Sequence, residues 1–349
     1  MADLPHKHAT QNDVAKKAGV DRSTVSLALR GSVNIPEKTR ARVRAAAAEL
    51  GYEPDPMLSA LAYYRNSRRK KAYHGTLAWL MSAGSSKDWG GDWRAVTMYK
   101  ETWLGARERA PAHGYNLEVF EMLAGGLTPQ RVAGMFRSRN ITGLLIGPQP
   151  RPNTEMDFPW GDFSSVTTSF TLLRPHLHTV AGAYYRDMMQ TMQNIRSLGY
   201  RRVGLVYSKM VDARLTHYYL AGYLADCHLH GPEKPPPPLD PGDGDFGKWF
   251  RRARPDAIVA AGLAAEVIEA MLRRAGLRAP DDVGLARLPP DMPGGFFAGM
   301  CENSRQIGAT AIDMLVSLVQ QGIRGCPDHP RYTHIDGVWS PGASLPPRK

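Results

Sequence analysis

Residues 10–56 read TQNDVAKKAGVDRSTVSLALRGSVNIPEKTRARVRAAAAELGYEPDP, and this stretch decides the fold of the N-terminal part of the chain. A short helix is predicted over residues 11–18, because Thr10 is a suitable N-cap and apolar residues recur at the i, i+1, i+4 spacing. Gly19 ends this helix, and a second helix follows over residues 22–29. Two short helices joined by a turn that contains glycine are typical of a helix-turn-helix.

A third helix is predicted over residues 37–50, between Pro36 and Gly51. The motifs along the three helices are D-V-A-K-K-A-G-V-x-x-S-T-V-S, N-I-P-E-K-T-R-A-R-V and A-A-x-E-L-G-Y-E-P, which together span about 45 residues. They resemble the head of the lactose-repressor (LacI) family of transcription regulators. The resemblance implies an all-α head that binds double-stranded operator DNA. A small helical domain with a solvated basic face is the alternative interpretation.

The outward side of the second helix is the predicted DNA-reading surface. Residues near the N-terminal end of such a helix reach base edges or phosphates in the major groove. Arg22 and Ser23 are the predicted base contacts, and Leu27 is suited to contact a thymine methyl group. The complete set of predicted DNA-binding residues is Thr10, Arg22, Ser23, Thr24, Ser26, Leu27, Arg30, Asn34 and Leu61.

Leu61 lies in the connection that follows the head. By the resemblance, MLSALAYY at residues 57–64 is a hinge helix that pairs with its dimer mate and inserts Leu61 into the minor groove at the operator centre. An isolated helix of about eight residues is unstable in water, so its folding would depend on DNA and on the partner chain. A linker helix that packs on the next domain is the alternative. RNSRRKK at residues 65–71 carries five positive charges, which fit phosphate contact or a solvated surface.

The composition agrees with a polyanionic partner. The chain has 349 residues and a net charge of +11, and residues 1–71 hold 14 Lys and Arg against 7 Asp and Glu. A fifth of the chain therefore carries +7 of the charge, as nucleic-acid-binding domains do. Three cysteines without paired spacing, no signal peptide and no membrane-spanning run predict a cytoplasmic protein without a membrane partner. Residues 340–349 contain no apolar heptads, so the expected assembly is a homodimer.

From residue 76 onward, short apolar strands alternate with amphipathic helices, as in GLLI at 143–146 and RVGLVY at 202–207. This alternation predicts parallel sheets flanked by helices, an α/β fold. By the resemblance, the fold is periplasmic-binding-protein-like, with two lobes, a ligand cleft between them and a dimer interface. The predicted domains are a helix-turn-helix head (1–56), a hinge helix with a basic linker (57–75), and an effector-binding and dimerisation domain (76–345).

The predicted ligand cleft departs from the family pattern. Three positions that hold sugars through polar groups in the family are occupied here by Tyr219, Ala261 and Pro289. A site built on hydrogen bonds to hydroxyls fails without those polar partners, so we expect an effector other than a free sugar held in the usual way, or none. Trp89 and Trp93 complete the predicted ligand-binding set, because they follow the first strand, where this fold opens toward its cleft. Each aromatic residue also has a plain explanation as part of the core.

The predicted function is therefore a sequence-specific transcriptional regulator, most often a repressor. It would bind a pseudo-palindromic operator and respond to an unidentified small molecule, with a carbohydrate derivative as one candidate. The alternative is an α/β enzyme with an appended DNA-binding head. No convergent catalytic set supports it, and GDGDFG at 242–247 follows prolines instead of the strand that a dinucleotide loop needs. The histidines and cysteines do not complete a four-ligand metal set, so no catalytic residue, metal or cofactor is predicted.

Overall fold

The computed structural model describes residues 9–29, 35–52, 73–82, 85–86, 91–122, 128–290 and 293–348. The N-terminal unit consists of three helices, which are α1 (Gln11–Ala18), α2 (Arg22–Leu29) and α3 (Glu37–Glu49). Val14, Val25 and Val43, one from each helix, meet in its centre and are fully buried among alanines. Lys17 of α1 also pairs with Glu49 of α3. The three predicted helices are confirmed to within one residue at their ends.

The rest of the chain alternates strands and helices. Its strands are β1 (Gly75–Met81), β2 (Ser85–Ser86), β3 (Gly91–Asp92), β4 (Tyr115–Glu121), β5 (Gly143–Ile146), β6 (Thr154–Glu155), β7 (Ser164–Thr167), β8 (Leu172–Arg174), β9 (His178–Gly182), β10 (Val203–Tyr207), β11 (Ala257–Ala261), β12 (Gly284–Leu288), β13 (Gly299–Cys301), β14 (Tyr332–Ile335) and β15 (Val338–Ser340). Its α-helices are α4 (Thr97–Arg109), α5 (Pro129–Ser138), α6 (Tyr184–Ser197), α7 (Lys209–Arg214), α8 (Tyr218–His230), α9 (Phe246–Ala253), α10 (Ala265–Arg274) and α11 (Ser304–Gln321).

Six parallel strands form the sheet of the first lobe, in the order β14-β9-β7-β5-β1-β4. Side chains of a strand alternate between the two faces of a sheet. In β1, Leu77 and Trp79 accordingly pack toward α11, whereas Ala78 and Leu80 pack toward α5. Both faces are covered by helices, which explains why β1 reads as a continuous apolar run.

The second lobe has a smaller parallel sheet in the order β10-β11-β12. Leu205 and Val259 pack on one face with α6 and α8, and Val206 and Ile258 pack on the other face with α9 and α10. Strands β13 and β15 form an antiparallel pair beside β12. The α/β fold class with parallel sheets flanked by helices is thus confirmed.

The chain passes between the two lobes at three places, which we call the crossover segments. The first runs from β9 into α6, the second from β13 into α11, and the third from β14 into β15. These segments join the two lobes covalently.

Two features of the second lobe differ from the sequence-based expectation. The pattern of residues 215–228 predicts one helix, but helix α8 begins only at Tyr218, since Thr216 and His217 have φ values of 51° and 63°, and the separate short helix α7 before it was not predicted. Helix α9 was not predicted, although Asp245 caps it by accepting a hydrogen bond from the Lys248 N–H at 2.6 Å. None of the helices within the described ranges is long and apolar enough to cross a membrane.

Candidate functional site

The first helix of the head begins with a reciprocal cap. The Thr10 N–H donates to Asp13 Oδ2 at 2.9 Å, the Thr10 hydroxyl donates to the same oxygen at 2.6 Å, and the Asp13 N–H reaches Thr10 Oγ1 at 3.4 Å. This capping box satisfies donors that a helix N-terminus leaves open. Thr10 therefore has a structural role in addition to its predicted place among the DNA-binding residues.

The second helix begins at a similar cap. Asp21 Oδ1 accepts hydrogen bonds from the Ser23 hydroxyl at 2.7 Å and the Ser23 N–H at 2.8 Å, and these two bonds lower the pKa of Asp21. Because the hydroxyl proton points to Asp21, the Ser23 oxygen faces outward as an acceptor. In that state Ser23 suits a donor on a base edge, such as an adenine or cytosine amino group.

The outward face of α2 has the exposure that a DNA-reading helix requires. Arg22, Ser23 and Leu27 are exposed, and Leu27 keeps 43% of its surface accessible although it is apolar. Thr24 and Ser26 are half-buried at the edges of this face. The remaining predicted DNA-binding residues, Arg30, Asn34 and Leu61, lie outside the described residues.

A cavity of about 680 Å³ lies between the two lobes. Loops at the carboxyl ends of parallel strands form much of its wall, with Pro148 after β5, Thr168 after β7, Gly262 after β11 and Pro289 after β12. This is where open α/β sheets bind their ligands, and the volume is that of a small-molecule site.

The predicted ligand-binding residues separate into two groups. Tyr219 and Pro289 line the cavity. Ala261 is buried at the end of β11, and the residues that follow it line the cavity instead. Trp93 is fully buried in the core of the first lobe, and Trp89 lies outside the described residues.

The position of Trp93 has a simple physical reason. Its ring stacks on Trp79 of β1 with 5.9 Å between centroids and meets the edge of Trp103 at 6.2 Å. A large aromatic ring gains more from full burial against two others than from partial contact with solvent. Trp93 thus supports the wall of the first lobe and does not contact the cavity.

Two carboxyl groups lie beside the crossover segments. Glu302 lines the cavity, where its Oε1 accepts a hydrogen bond from the Ser304 hydroxyl at 2.6 Å and its carboxylate accepts another from Tyr184. Burial raises the pKa of Glu302. Asp187 is almost fully buried and accepts a hydrogen bond from the Gly337 N–H at 3.0 Å, and burial raises its pKa to about 7.

Several cavity residues were missed at the level of sequence. Arg214 and Arg287 both line the cavity and are less than 10% exposed, and Tyr99 of α4 also lines it and bonds to Arg214. Their positions at or after the carboxyl ends of β10 and β12 were the available signal, since ligands bind at that edge of the sheet. Within the described ranges, no group of three or more His, Cys, Asp or Glu could hold a metal ion.

Known proteins resemble this chain in both parts. The model of bacterial regulatory proteins of the lacI family matches residues 10–55. The HTH-type transcriptional regulator GntR of Pseudomonas aeruginosa is 49% identical over 53 residues, which are 15% of this chain and 16% of that regulator. The HTH-type transcriptional repressor CytR of Escherichia coli is 23% identical over 292 residues, 79% of each chain.

The fold also resembles that of a solved repressor. The structure of the lac repressor dimer bound to operator and the anti-inducer ONPF aligns with a TM-score of 0.52 at 18% identity, covering 97% of this chain and 100% of that one. The proteins that the chain resembles are transcriptional regulators, not enzymes.

Proposed function

Because the chain belongs to the lacI family of bacterial regulatory proteins, we propose that it is a dimeric repressor of transcription that binds a pseudo-palindromic operator and responds to a small molecule in its cleft. The observation that carries the proposal is the exposed face of α2. Arg22, Ser23 and Leu27 project from a head that is otherwise held rigid by its two caps and its buried core. A rigid helix with exposed polar and apolar side chains near its start is suited to read base edges.

We further propose how the parts divide the work. Residues 1–56 would form the DNA-binding head, residues 57–75 the hinge helix and basic linker, and residues 76–345 the effector-binding and dimerisation domain. Two heads that read two half-sites fit the likeness to a repressor solved as a dimer on its operator. The paired hinge helices would then place Leu61 in the minor groove between the half-sites, where an apolar wedge bends the duplex.

The cavity gives the repressor its means of control. A ligand shifts an equilibrium between lobe arrangements only as far as it binds one arrangement better than the other. The cavity has walls from both lobes and from the crossover segments, so a ligand there contacts every element that a change of lobe angle would move. The lobe angle would in turn set the distance between the two hinge segments of the dimer.

DNA binding is tested with the full-length protein and the intergenic DNA next to its own gene. We expect sequence-selective binding at nanomolar protein, with an affinity that falls steeply as salt rises, because phosphate contacts release counterions. Equal affinity for that fragment and for random DNA of the same length would reject the proposal.

The reading surface is tested by Arg22→Ala with Arg42→Ala as the matched control, since Arg42 is an exposed arginine on α3 of the same head. A lost base contact costs about 1–3 kcal/mol of discrimination, so the ratio of specific to random affinity should fall about 10- to 100-fold in Arg22→Ala. It should stay unchanged in Arg42→Ala. If both variants lower the two affinities equally, Arg22 contributes only charge and the assignment of α2 as the reading helix is refuted.

A further inference from the structure

Five charged side chains line the cleft in the described part of the chain, namely Arg214, Arg287, Arg305, Glu101 and Glu302. Arg305 lies at the exposed edge, where its Nε pairs with Glu101 Oε2 at 2.5 Å, so these two charges offset each other. Arg214 and Arg287 lie deeper and are 7% and 9% exposed. A guanidinium is not deprotonated in proteins, so the interior of the cleft carries two permanent positive charges.

The carboxyl group of Glu302 lines the same interior and holds its charge less firmly than an exposed carboxyl group. Burial raises the pKa of Glu302, and it raises the pKa of neighbouring Asp187 to about 7. Near neutral pH the carboxyl groups are therefore more readily protonated than exposed ones, while the guanidiniums stay charged. The balance of charge inside the cleft is positive.

Hydroxyl groups of the opposite wall already form hydrogen bonds within the first lobe. The Ser169 and Thr171 hydroxyls lie 3.0 Å apart in a mutual hydrogen bond, and Thr171 Oγ1 also accepts a hydrogen bond from the Gln149 N–H at 2.7 Å. Thr168 donates to the Ile146 carbonyl at 3.4 Å. A polyhydroxylated neutral ligand would have to break these bonds to use the hydroxyl groups as donors, whereas a charged ligand gains the stronger bonds that a guanidinium makes to an anion.

Arg214 also joins the two lobes. It extends from α7 of the second lobe, donates to the Pro150 carbonyl and to the Tyr99 hydroxyl (2.7 Å) of the first lobe, and lies 5.9 Å from the centre of the Tyr99 ring. The short helix that carries it is fixed by Asp212, which is buried and accepts a hydrogen bond from the Leu220 N–H at 3.2 Å. Guanidinium bonds to a carboxylate or phosphate are stronger than bonds to a neutral carbonyl. An oxyanion would therefore compete for a side chain that spans the cleft.

We propose that the effector carries an oxyanion, a carboxylate or a phosphate, which is bound by Arg214 and Arg287, and that its apolar part lies against the proline and aliphatic wall. That wall includes Val96, Met98, Val211, Leu263 and Pro289. The inference rests on the proposed function, because it names the chemical class of the molecule that controls the repressor. By binding Arg214, the oxyanion would alter the contact that joins the two lobes.

The test uses the full-length protein and inorganic phosphate, with chloride of equal ionic strength and pH as the reference. The melting temperature should rise along a saturable curve, by about 3 °C at roughly ten times the dissociation constant. Phosphate also stabilises proteins by exclusion from their surface, but that effect does not saturate. Benzoate and benzamide form a second matched pair that differs in charge, and a shift with benzoate alone identifies the headgroup as a carboxylate.

Variants separate binding from general salt effects. Arg287→Gln and Arg214→Lys should each lower the apparent affinity for the anion, read from the saturable rise in melting temperature, at least tenfold. The first substitution removes the charge, and the second removes the planar pair of donors. Arg274→Gln is the matched control, because Arg274 is exposed on α10 and does not line the cleft. It should respond as the natural protein does. Far-ultraviolet circular dichroism and the melting temperature in chloride show whether each variant is folded.

Two results would overturn the inference. One is the absence of a saturable shift with both phosphate and benzoate in the natural protein, and the other is an equal shift in the natural protein and in folded Arg287→Gln. Operator binding, measured on the same preparations, separates this inference from the proposed function. Selective DNA binding without an arginine-dependent anion effect rejects only the inference about the effector. The anion effect without selective DNA binding rejects only the proposed repressor function.

Discussion

The buried carboxyl group of Asp187 makes the stability of this protein depend on pH in an unusual direction. Asp187 lies in the first turn of α6 and accepts a hydrogen bond from the Gly337 N–H, which joins the first crossover segment to the third. Burial, together with the smaller effects of the nearby charges of Glu302 and Asp336, raises its pKa from 3.8 to about 7. We predict that Asp187→Asn stabilises the protein at alkaline pH, because asparagine keeps the acceptor oxygen and never ionises.

The size of the effect follows from linkage. Because the folded-state pKa is raised, the folded protein keeps this proton between about pH 4 and pH 7 while the unfolded chain has lost it, so this carboxyl favours folding most at low pH. The contribution of Asp187 to the free energy of unfolding declines as pH rises toward 7 and is lost above pH 7. Each pH unit in that window corresponds to about 1.4 kcal/mol, so the natural protein should lose about 3 kcal/mol from this group between about pH 5 and pH 8.

The measurement is the difference in melting temperature between the natural protein and Asp187→Asn at several pH values across this range. The difference should grow with pH and reach roughly 5 °C or more at about pH 8. Asp162→Asn is the control, because Asp162 is exposed and pairs with Arg137 at 2.7 Å away from the crossover segments. A difference that stays constant from acid to alkaline pH would show that Asp187 titrates like an ordinary aspartate and would refute the reasoning.

Three further predictions concern packing, the hinge and the head. A Cβ atom on Gly308 of α11 would lie 1.9 Å from the Thr102 carbonyl oxygen of α4, so Gly308→Ala should destabilise the protein by about 2 kcal/mol or more in a thermal melt. The control is Gly134→Ala, whose added Cβ atom would meet nothing within 4 Å, and it should be neutral or stabilising in the same melt. Leu61→Ala should weaken binding to the operator more than binding to random DNA, and an equal loss on both in a fluorescence anisotropy titration would contradict a wedge in the minor groove. Thr10→Ala removes the cap of α1 and should cost about 1 kcal/mol of head stability in urea unfolding. Thr39→Ala, in the first turn of α3 where Pro36 is the N-cap residue, should cost less.

The head could be predicted from sequence almost residue by residue, and the reason is that its signals are local. Thr10 and Asp21 cap helices within three residues of themselves, and Gly19 adopts a φ of 61° that suits its place at the end of α1. Such interactions depend on neighbours in the chain, so the sequence displays them directly. The buried strand β5 was accessible as well, because a fully buried parallel strand is a continuous apolar run, whereas β14 of the same sheet is partly exposed and was not predicted.

The residues that line the cleft could not be predicted from the sequence in this way. Arg214 and Arg287 are 73 positions apart in the chain and meet the same cavity only because parallel strands bring their carboxyl ends to one edge. Trp93 shows the opposite error, since its place after the first strand suggested a ligand contact. The partners that bury it, Trp79 and Trp103, could be chosen from the sequence only with the packing already known.

In the proposed function, the crossover segments would link a ligand in this cleft to the distant head. Tyr184 and Glu302 line the cavity, and each begins or precedes a helix at a point where the chain enters the other lobe. Asp187 follows Tyr184 by one helical turn and holds Gly337 of the third crossover segment. A molecule that displaces the Tyr184–Glu302 hydrogen bond therefore acts on the covalent joints between the lobes as well as on the contact made by Arg214 across the cleft. Under this proposal, recognition of the effector and the angle between the lobes would depend on the same few side chains, so substitutions there should change both together, whereas substitutions on α2 should change DNA binding alone.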